Sequence, residues 1–76
     1  MKIDALIKMA NQIAAFFDGE GGQNPAEAAT LTATHLRRYW DPRMREQMIA
    51  YFQSDGGAGL DETALSGVAL LAAGKV

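Results

Sequence analysis

The chain has 76 residues and a mass of 8.1 kDa, and we predict that residues 1–76 form a single helical domain. It contains no cysteine, so neither a disulfide nor a thiolate metal site can stabilise it. Its net charge of −2 and isoelectric point near 5.1 argue against a nucleic-acid partner, and its short, interrupted apolar runs argue against a membrane partner.

The first predicted helix covers residues 4–18. Its apolar residues recur at the i, i+3, i+4, i+7 spacing of one helix face: Ile3, Leu6, Ile7, Ala10, Ile13, Ala14 and Phe17. Asp4 is the expected N-cap, and the glycines at 19, 21 and 22 are expected to end the helix. The charges of Lys2, Asp4 and Lys8 leave no apolar export signal, so we expect a cytoplasmic protein.

The second and third predicted helices, 25–39 and 42–54, have the clearest boundaries. Asn24-Pro25-Ala26-Glu27 is close to a capping box, with proline at the first helical position. Asp41-Pro42 ends one helix and starts the next in the same way. On the second helix Leu31, His35, Leu36 and Tyr39 recur at helical spacing, and Ala28 and Ala33 are expected to allow close approach of another helix. On the third helix Met44, Met48, Tyr51 and Phe52 share one face.

A flexible glycine-rich loop, residues 55–59, is predicted before the fourth helix, residues 62–73. Asp61 is its expected N-cap, and Leu60 is expected to pack on Leu65. The predicted buried stripe is Leu65, Val68, Ala69 and Ala72. Because no segment shows the alternation of a strand, we predict an all-α fold, a small bundle of three to four short helices.

Residues with catalytic chemistry are scarce in this chain. His35 is the only histidine, and neither Ser54 nor Ser66 lies in a nucleophile elbow. The glycine clusters match neither a P-loop nor a dinucleotide fingerprint. We interpret His35 as a half-buried helix residue and predict no catalytic, cofactor-binding or metal-binding residues.

One stretch, residues 35–45, combines aromatic side chains with four arginines. Its only acid is Asp41, so residues 37–45 carry +3 and the rest of the chain −5. Tyr, Trp, Arg and Met are enriched at the centres of protein interfaces. We therefore predict a partner-binding corner: His35, Arg37, Arg38, Tyr39, Trp40, Asp41, Pro42, Arg43 and Arg45. Two alternatives stay open: Trp40 is a core anchor, or the arginines bind an anion such as a nucleotide phosphate at the helix start near Arg43.

Phe16 and Phe17 are adjacent, so one helix face cannot bury both, and we predict that they form an apolar docking surface. The stability of so small a chain points the same way. Burial of apolar surface contributes roughly 110 kcal/mol, and ordering the chain costs about the same. Fourteen residues are alanine, which buries little area. The chain therefore either packs unusually well or uses the surface of a partner.

The sequence resembles the delta subunit of soluble NAD-dependent formate dehydrogenase over almost its full length. The resemblance lies in Met9-Ala10-Asn11-Gln12-Ile13, in Phe16-Phe17, in residues 35–45 and in Gly56-Gly57-Ala58-Gly59-Leu60. Its most specific part is the Trp-Asp-Pro-Arg-Met-Arg run at 40–45, whereas the glycine run alone is weak. The sequence departs from that family at Asp61-Glu62, where a proline is expected after Leu60.

The resemblance implies a non-catalytic accessory subunit of a cytoplasmic enzyme that oxidises formate to carbon dioxide and reduces NAD. It implies that the partner subunits hold bis-molybdopterin guanine dinucleotide, with molybdenum or tungsten, together with iron–sulfur clusters and FMN. The expected partner is the catalytic alpha subunit within the larger complex.

Three hypotheses for function follow. The first is a structural subunit that docks through the corner and the phenylalanines. The second is a transient chaperone for insertion of the molybdenum cofactor. The third, a small helix-turn-helix regulator that binds nucleic acid, ranks lower because the helix after Pro42 has a face that looks buried. Self-association of the isolated chain is also compatible with an exposed apolar face.

Overall fold

Four α-helices make up most of the described chain, which comprises residues 2–21 and 24–76 of a computed structural model. They are α1 Ile3–Phe16, α2 Pro25–Tyr39, α3 Pro42–Asp55 and α4 Glu62–Ala72. A π-helical turn, Phe17–Gly21, follows α1 directly. These residues include no strand, so the predicted all-α fold is confirmed. Helix α1 starts one residue earlier than predicted and gives way to the π-helical turn before residue 18, while Gly22 lies outside the described residues.

Local side-chain chemistry sets the start of α2 and α3, as predicted. The Glu27 amide donates to the Asn24 side chain at 2.9 Å, and the Met44 amide donates to the Asp41 carboxylate at 3.1 Å. Of the two other expected caps, Asp4 is wrong and Asp61 is confirmed in position only. The N-cap of α1 is Lys2, which leaves Asp4 inside the first turn. Asp61 is at the N-cap position of α4, but its side chain makes no capping hydrogen bond.

Helices α2 and α4 share the most extensive contact of any pair among the described elements, and small residues lie within it. Gly67 on α4 is buried against α2, and a Cβ there would lie 3.0 Å from Thr32 Cγ2 and 3.2 Å from the Ala29 carbonyl oxygen. Thr32 is also fully buried, and its hydroxyl donates to the Ala28 carbonyl at 2.8 Å. No buried polar side-chain atom of the described residues is left without a partner.

Two of the predicted buried stripes are only partly right. On α2, Leu36 is buried and so are Ala28 and Ala33, which were expected to allow close approach, whereas Leu31 and His35 are half-buried and Tyr39 is exposed. On α4, Val68 is buried, whereas Leu65, Ala69 and Ala72 are half-buried.

On α2 the buried residues are Ala28, Ala29, Thr32, Ala33 and Leu36. On α4 they are Ala64, Gly67, Val68 and Leu71. The sequence pattern assigned the buried stripes mainly to the larger apolar residues. Two helices that approach closely instead need small residues at their contact.

The core lies where α1, α3 and α4 meet the end of α2. Its buried members are Leu6, Ala10, Ala14, Leu36, Trp40, Met48, Ala64, Val68 and Leu71. The predicted face of α3 is confirmed, since Met48 is fully buried and Met44, Tyr51 and Phe52 pack against the same cluster. No helix among the described residues is both long and apolar enough to cross a membrane.

The loop between α3 and α4 is anchored by two side chains. The Asn11 side chain donates to the Gly59 carbonyl at 3.0 Å and accepts the Asp61 amide at 2.8 Å. The Tyr51 hydroxyl donates to the Ala58 carbonyl. Within the turn, Gly57 is buried with a φ of +77°, a backbone conformation that favours glycine. The loop predicted to be flexible is therefore tied to α1 and α3.

We predict that Gly67→Ala lowers the free energy of unfolding by about 1 kcal/mol, because overpacking against Thr32 and the α2 backbone outweighs the gain in helix propensity. The measurement is chemical denaturation followed by circular dichroism. The control is Ser66→Ala, the same residue created one position earlier on an exposed face of α4. Equal or greater stability of Gly67→Ala would contradict the assigned α2–α4 spacing.

We predict that Asn11→Asp lowers the free energy of unfolding by about 0.5–1.5 kcal/mol, because a carboxylate cannot donate to the Gly59 carbonyl. The matched control is Gln12→Glu, which makes the same chemical change at the next residue, on an exposed side chain. Thermal unfolding of both variants gives the comparison. Two equal shifts would show that the loop does not depend on Asn11.

Candidate functional site

The corner at residues 35–45 is a sharp junction between two capped helices. Helix α2 ends at Tyr39, Trp40 has an extended backbone with φ −78° and ψ 140°, and α3 begins at Pro42. Asp41 caps α3 and Pro42 takes its first position, which requires no helical amide hydrogen. These two predicted partner-binding residues therefore form the turn itself, and both are exposed.

Trp40 faces the interior of the bundle rather than solvent. Only 5% of its surface is exposed, and it belongs to the same buried cluster as Leu36 and Met48. The sequence allowed Trp40 to be either a partner-binding residue or a core anchor. The structure places it as a core anchor of the corner. It leaves little of this ring available to a partner.

Arg45 also serves the corner internally. Its guanidinium donates to the Arg37 carbonyl and, at 3.0 Å, to the Trp40 carbonyl. The last carbonyls of a helix have no partner within the helix, and a cation is favourable at that end. Arg45 therefore caps the C-terminus of α2 from the first turns of α3, and its side chain is half-buried.

Four rings form a continuous series across the surface of α1, the π-helical turn and α2. Phe16 and Phe17 have ring centroids 5.3 Å apart, Phe17 and His35 6.1 Å, and His35 and Tyr39 4.7 Å. The first two pairs are edge-to-face and the third is tilted, which are favourable geometries for aromatic contacts. We call these four residues the aromatic face. It unites the predicted phenylalanine surface with part of the predicted corner.

The two ends of the aromatic face are open to solvent. Phe16 is 59% exposed and Tyr39 is 70% exposed, while Phe17 and His35 are half-buried between them. An open cavity of ≈ 350 Å³ lies beside the rings. Its lining consists of Met9, Gln12, Ile13, Phe16, Phe17 and His35. The arrangement offers apolar surface with few polar groups, which suits binding rather than chemical conversion.

The other three arginines of the corner are exposed, and within residues 2–21 and 24–76 their side chains make no hydrogen bond or ion pair. Helix geometry separates Arg37 from Arg38. Arg38 follows His35 by three residues and so lies about 60° from it around the axis of α2. Arg37 follows His35 by two residues and lies about 160° from it, on nearly the opposite side of the helix. Arg43 is in the first turn of α3. The structure therefore brings Arg38 to the edge of the aromatic face and separates Arg37 from it.

The described residues also include no group of three or more His, Asp or Glu side chains that could hold a metal ion. His35, the only histidine, packs between Phe17 and Tyr39. Its surroundings are those of a half-buried ring on a helix surface.

Comparison with protein families identifies a match over most of the chain. The family model of the NADH-dependent formate dehydrogenase delta subunit FdsD matches residues 5–68. The chain belongs to the FdsD family. No curated protein and no solved structure gave a significant match.

The matched segment of this FdsD family member contains the whole aromatic face and the corner. Three residues that line the cavity, Met9, Gln12 and Ile13, were not among the predicted docking residues. The sequence does indicate two of these residues, Met9 and Ile13. Together with Phe16 they recur at helical spacing beside the buried stripe of α1. This second stripe identifies α1 as a helix that is apolar on more than one face.

We predict that Arg45→Met lowers the free energy of unfolding by about 1–2 kcal/mol, because two carbonyls at the end of α2 lose their donor. Methionine keeps the apolar stem, so the loss reports on the guanidinium. The control is Arg43→Met, which changes an exposed side chain two residues earlier. Urea titration of both variants tests this, and equal effects at the two sites would argue against Arg45 as a cap.

Proposed function

We propose that the chain is a non-catalytic accessory subunit of a cytoplasmic NAD-dependent formate dehydrogenase. In this proposal it supports the assembly or stability of the catalytic alpha subunit, and it docks through the aromatic face. The observation that carries the docking site is the exposure of Phe16 and Tyr39 at the ends of a continuous series of rings. Membership of the FdsD family supports the choice of complex.

The exposed aromatic surface of this small bundle favours its binding to a second protein. Its accessible surface is 4619 Å². Surface scaling predicts about 4,500 Å² for this mass, so the chain does not bury more surface than others of its size. Large rings nevertheless remain outside the core. Burying such rings against a second protein would supply stability that the isolated chain lacks, because aromatic residues contribute much of the energy of interfaces.

The chemistry of the chain fits an accessory role better than a cofactor-binding one. Iron–sulfur clusters are held mainly by cysteine thiolates, and this chain has no cysteine. The family resemblance implies that bis-molybdopterin guanine dinucleotide, iron–sulfur clusters and FMN belong to the partner subunits, and the lack of cysteine agrees with this for the clusters. Formate oxidation and NAD reduction take place there in this proposal, and no step passes through a side chain of this subunit.

We expect the double variant Phe16→Ser, Tyr39→Ser to lose association with the catalytic subunit while it keeps its fold. Both side chains are mostly exposed, so their truncation removes docking surface and little core. The experiment is co-purification from cells that express the tagged subunit with the complete enzyme. Circular dichroism and thermal unfolding of the isolated variant establish that it remains helical.

The matched control is Gln53→Ser, an exposed residue near the end of α3 and outside the aromatic face. A folded double variant that co-purifies as well as the control would contradict docking through this face. Stoichiometry in the purified mature enzyme tests the accessory role itself. A substoichiometric chain that is present only in immature enzyme would identify a transient chaperone for cofactor insertion instead.

A further inference from the structure

The cavity beside the aromatic face has the size and lining of a receptor for one apolar group. Its ≈ 350 Å³ lie at the lower end of the range of small-molecule pockets, and its six lining residues include no carboxylate. Met9, Ile13, Phe16 and Phe17 supply apolar walls, and Gln12 and His35 are the polar members. So few polar groups suit a hydrocarbon or aromatic side chain better than a polar ligand.

An exposed arginine lies one helical turn from a wall of this cavity, and the acids nearest in sequence to that wall, Asp18 and Glu20, follow Phe17 in the π-helical turn. Arg38 lies in the turn that follows His35, and in the described part of the chain its guanidinium has no acidic partner. Asp18 directly follows Phe17, but its carboxylate accepts a hydrogen bond from the Thr63 hydroxyl on α4 at 2.8 Å. An exposed arginine beside an apolar cavity is complementary to a carboxylate beside an apolar side chain, and arginine can bind that carboxylate with two hydrogen bonds.

We propose that the cavity receives one large apolar side chain from an acidic segment of the partner subunit, and that a carboxylate flanking this side chain binds Arg38. This inference rests on the proposed function and specifies the chemistry of the docking partner. A second copy of the chain is a poorer occupant, because a symmetric contact through this face would bring the arginines of both copies together. A nucleotide is a poorer occupant because the lining offers few groups to recognise a base.

The first test fills the cavity from its edge. Gln12 lines the cavity but is exposed, so Gln12→Trp obstructs it without replacing a core residue. Gln53→Trp makes the same change on α3, away from the cavity. Affinity for the purified catalytic subunit is measured by surface plasmon resonance. We expect Gln12→Trp to weaken binding roughly tenfold or more and Gln53→Trp to leave it within about twofold.

The second test reverses the charge. Arg38→Glu and Lys75→Glu change the net charge equally, and both residues are exposed, but Lys75 follows α4 and is not within a helical turn of any residue that lines the cavity. We expect Arg38→Glu to weaken binding roughly tenfold and to reduce its dependence on salt, with Arg38→Lys intermediate. Lys75→Glu is expected to leave affinity and salt dependence close to those of the unchanged chain.

The outcomes separate this inference from the proposed function. If the unchanged chain does not bind the catalytic subunit, the proposed function fails. If it binds and both Gln12→Trp and Arg38→Glu bind equally well, the cavity inference alone is overturned. Saturable binding of GDP to the isolated chain, abolished by Arg38→Glu, would overturn it in favour of a nucleotide. A homodimer that Gln12→Trp dissociates in analytical ultracentrifugation would overturn it in favour of a second copy.

Discussion

The close approach of α2 to α4 determines how the rest of this small bundle is arranged. Gly67 leaves no space between itself, Thr32 and the α2 backbone, so the two helices meet through small residues. Larger residues of α2 then lie beside this contact rather than within it. His35 and Tyr39 stand on the flank that faces α1, where Phe17 contacts His35. An exposed aromatic face is thus a consequence of how the core is packed.

The corner between α2 and α3 has two kinds of residue that the sequence alone does not distinguish. Trp40 anchors the corner in the core, Asp41 caps α3, and Arg45 caps α2. These three hold the junction in one geometry. Tyr39 and Arg38 lie at that junction and are exposed, so a fixed backbone presents both side chains to solvent. Such preorganisation reduces the entropy lost when an interface forms.

Features set by neighbours in sequence were predictable. The caps Asn24 and Asp41 act within one turn, and the helix boundaries that depend on them were predicted within about a residue. The role of Arg45 was not predictable, because its carbonyl partners depend on the angle between two helices. Asn11 was missed for the same reason, since it bonds a loop about 50 residues away. Phe16 and Phe17 were predicted as docking residues, but their continuity with His35 depends on the packing of α1 against α2.

We expect the aromatic face to be buried when the chain joins its complex. Hydroxyl-radical footprinting with mass spectrometry measures this directly, by comparing side-chain oxidation in the isolated chain and in the purified enzyme. We expect strong protection of Phe16 and Tyr39 on assembly, with little change at Trp40, which is already buried. Equal oxidation of Phe16 and Tyr39 in the two states would contradict docking through the aromatic face.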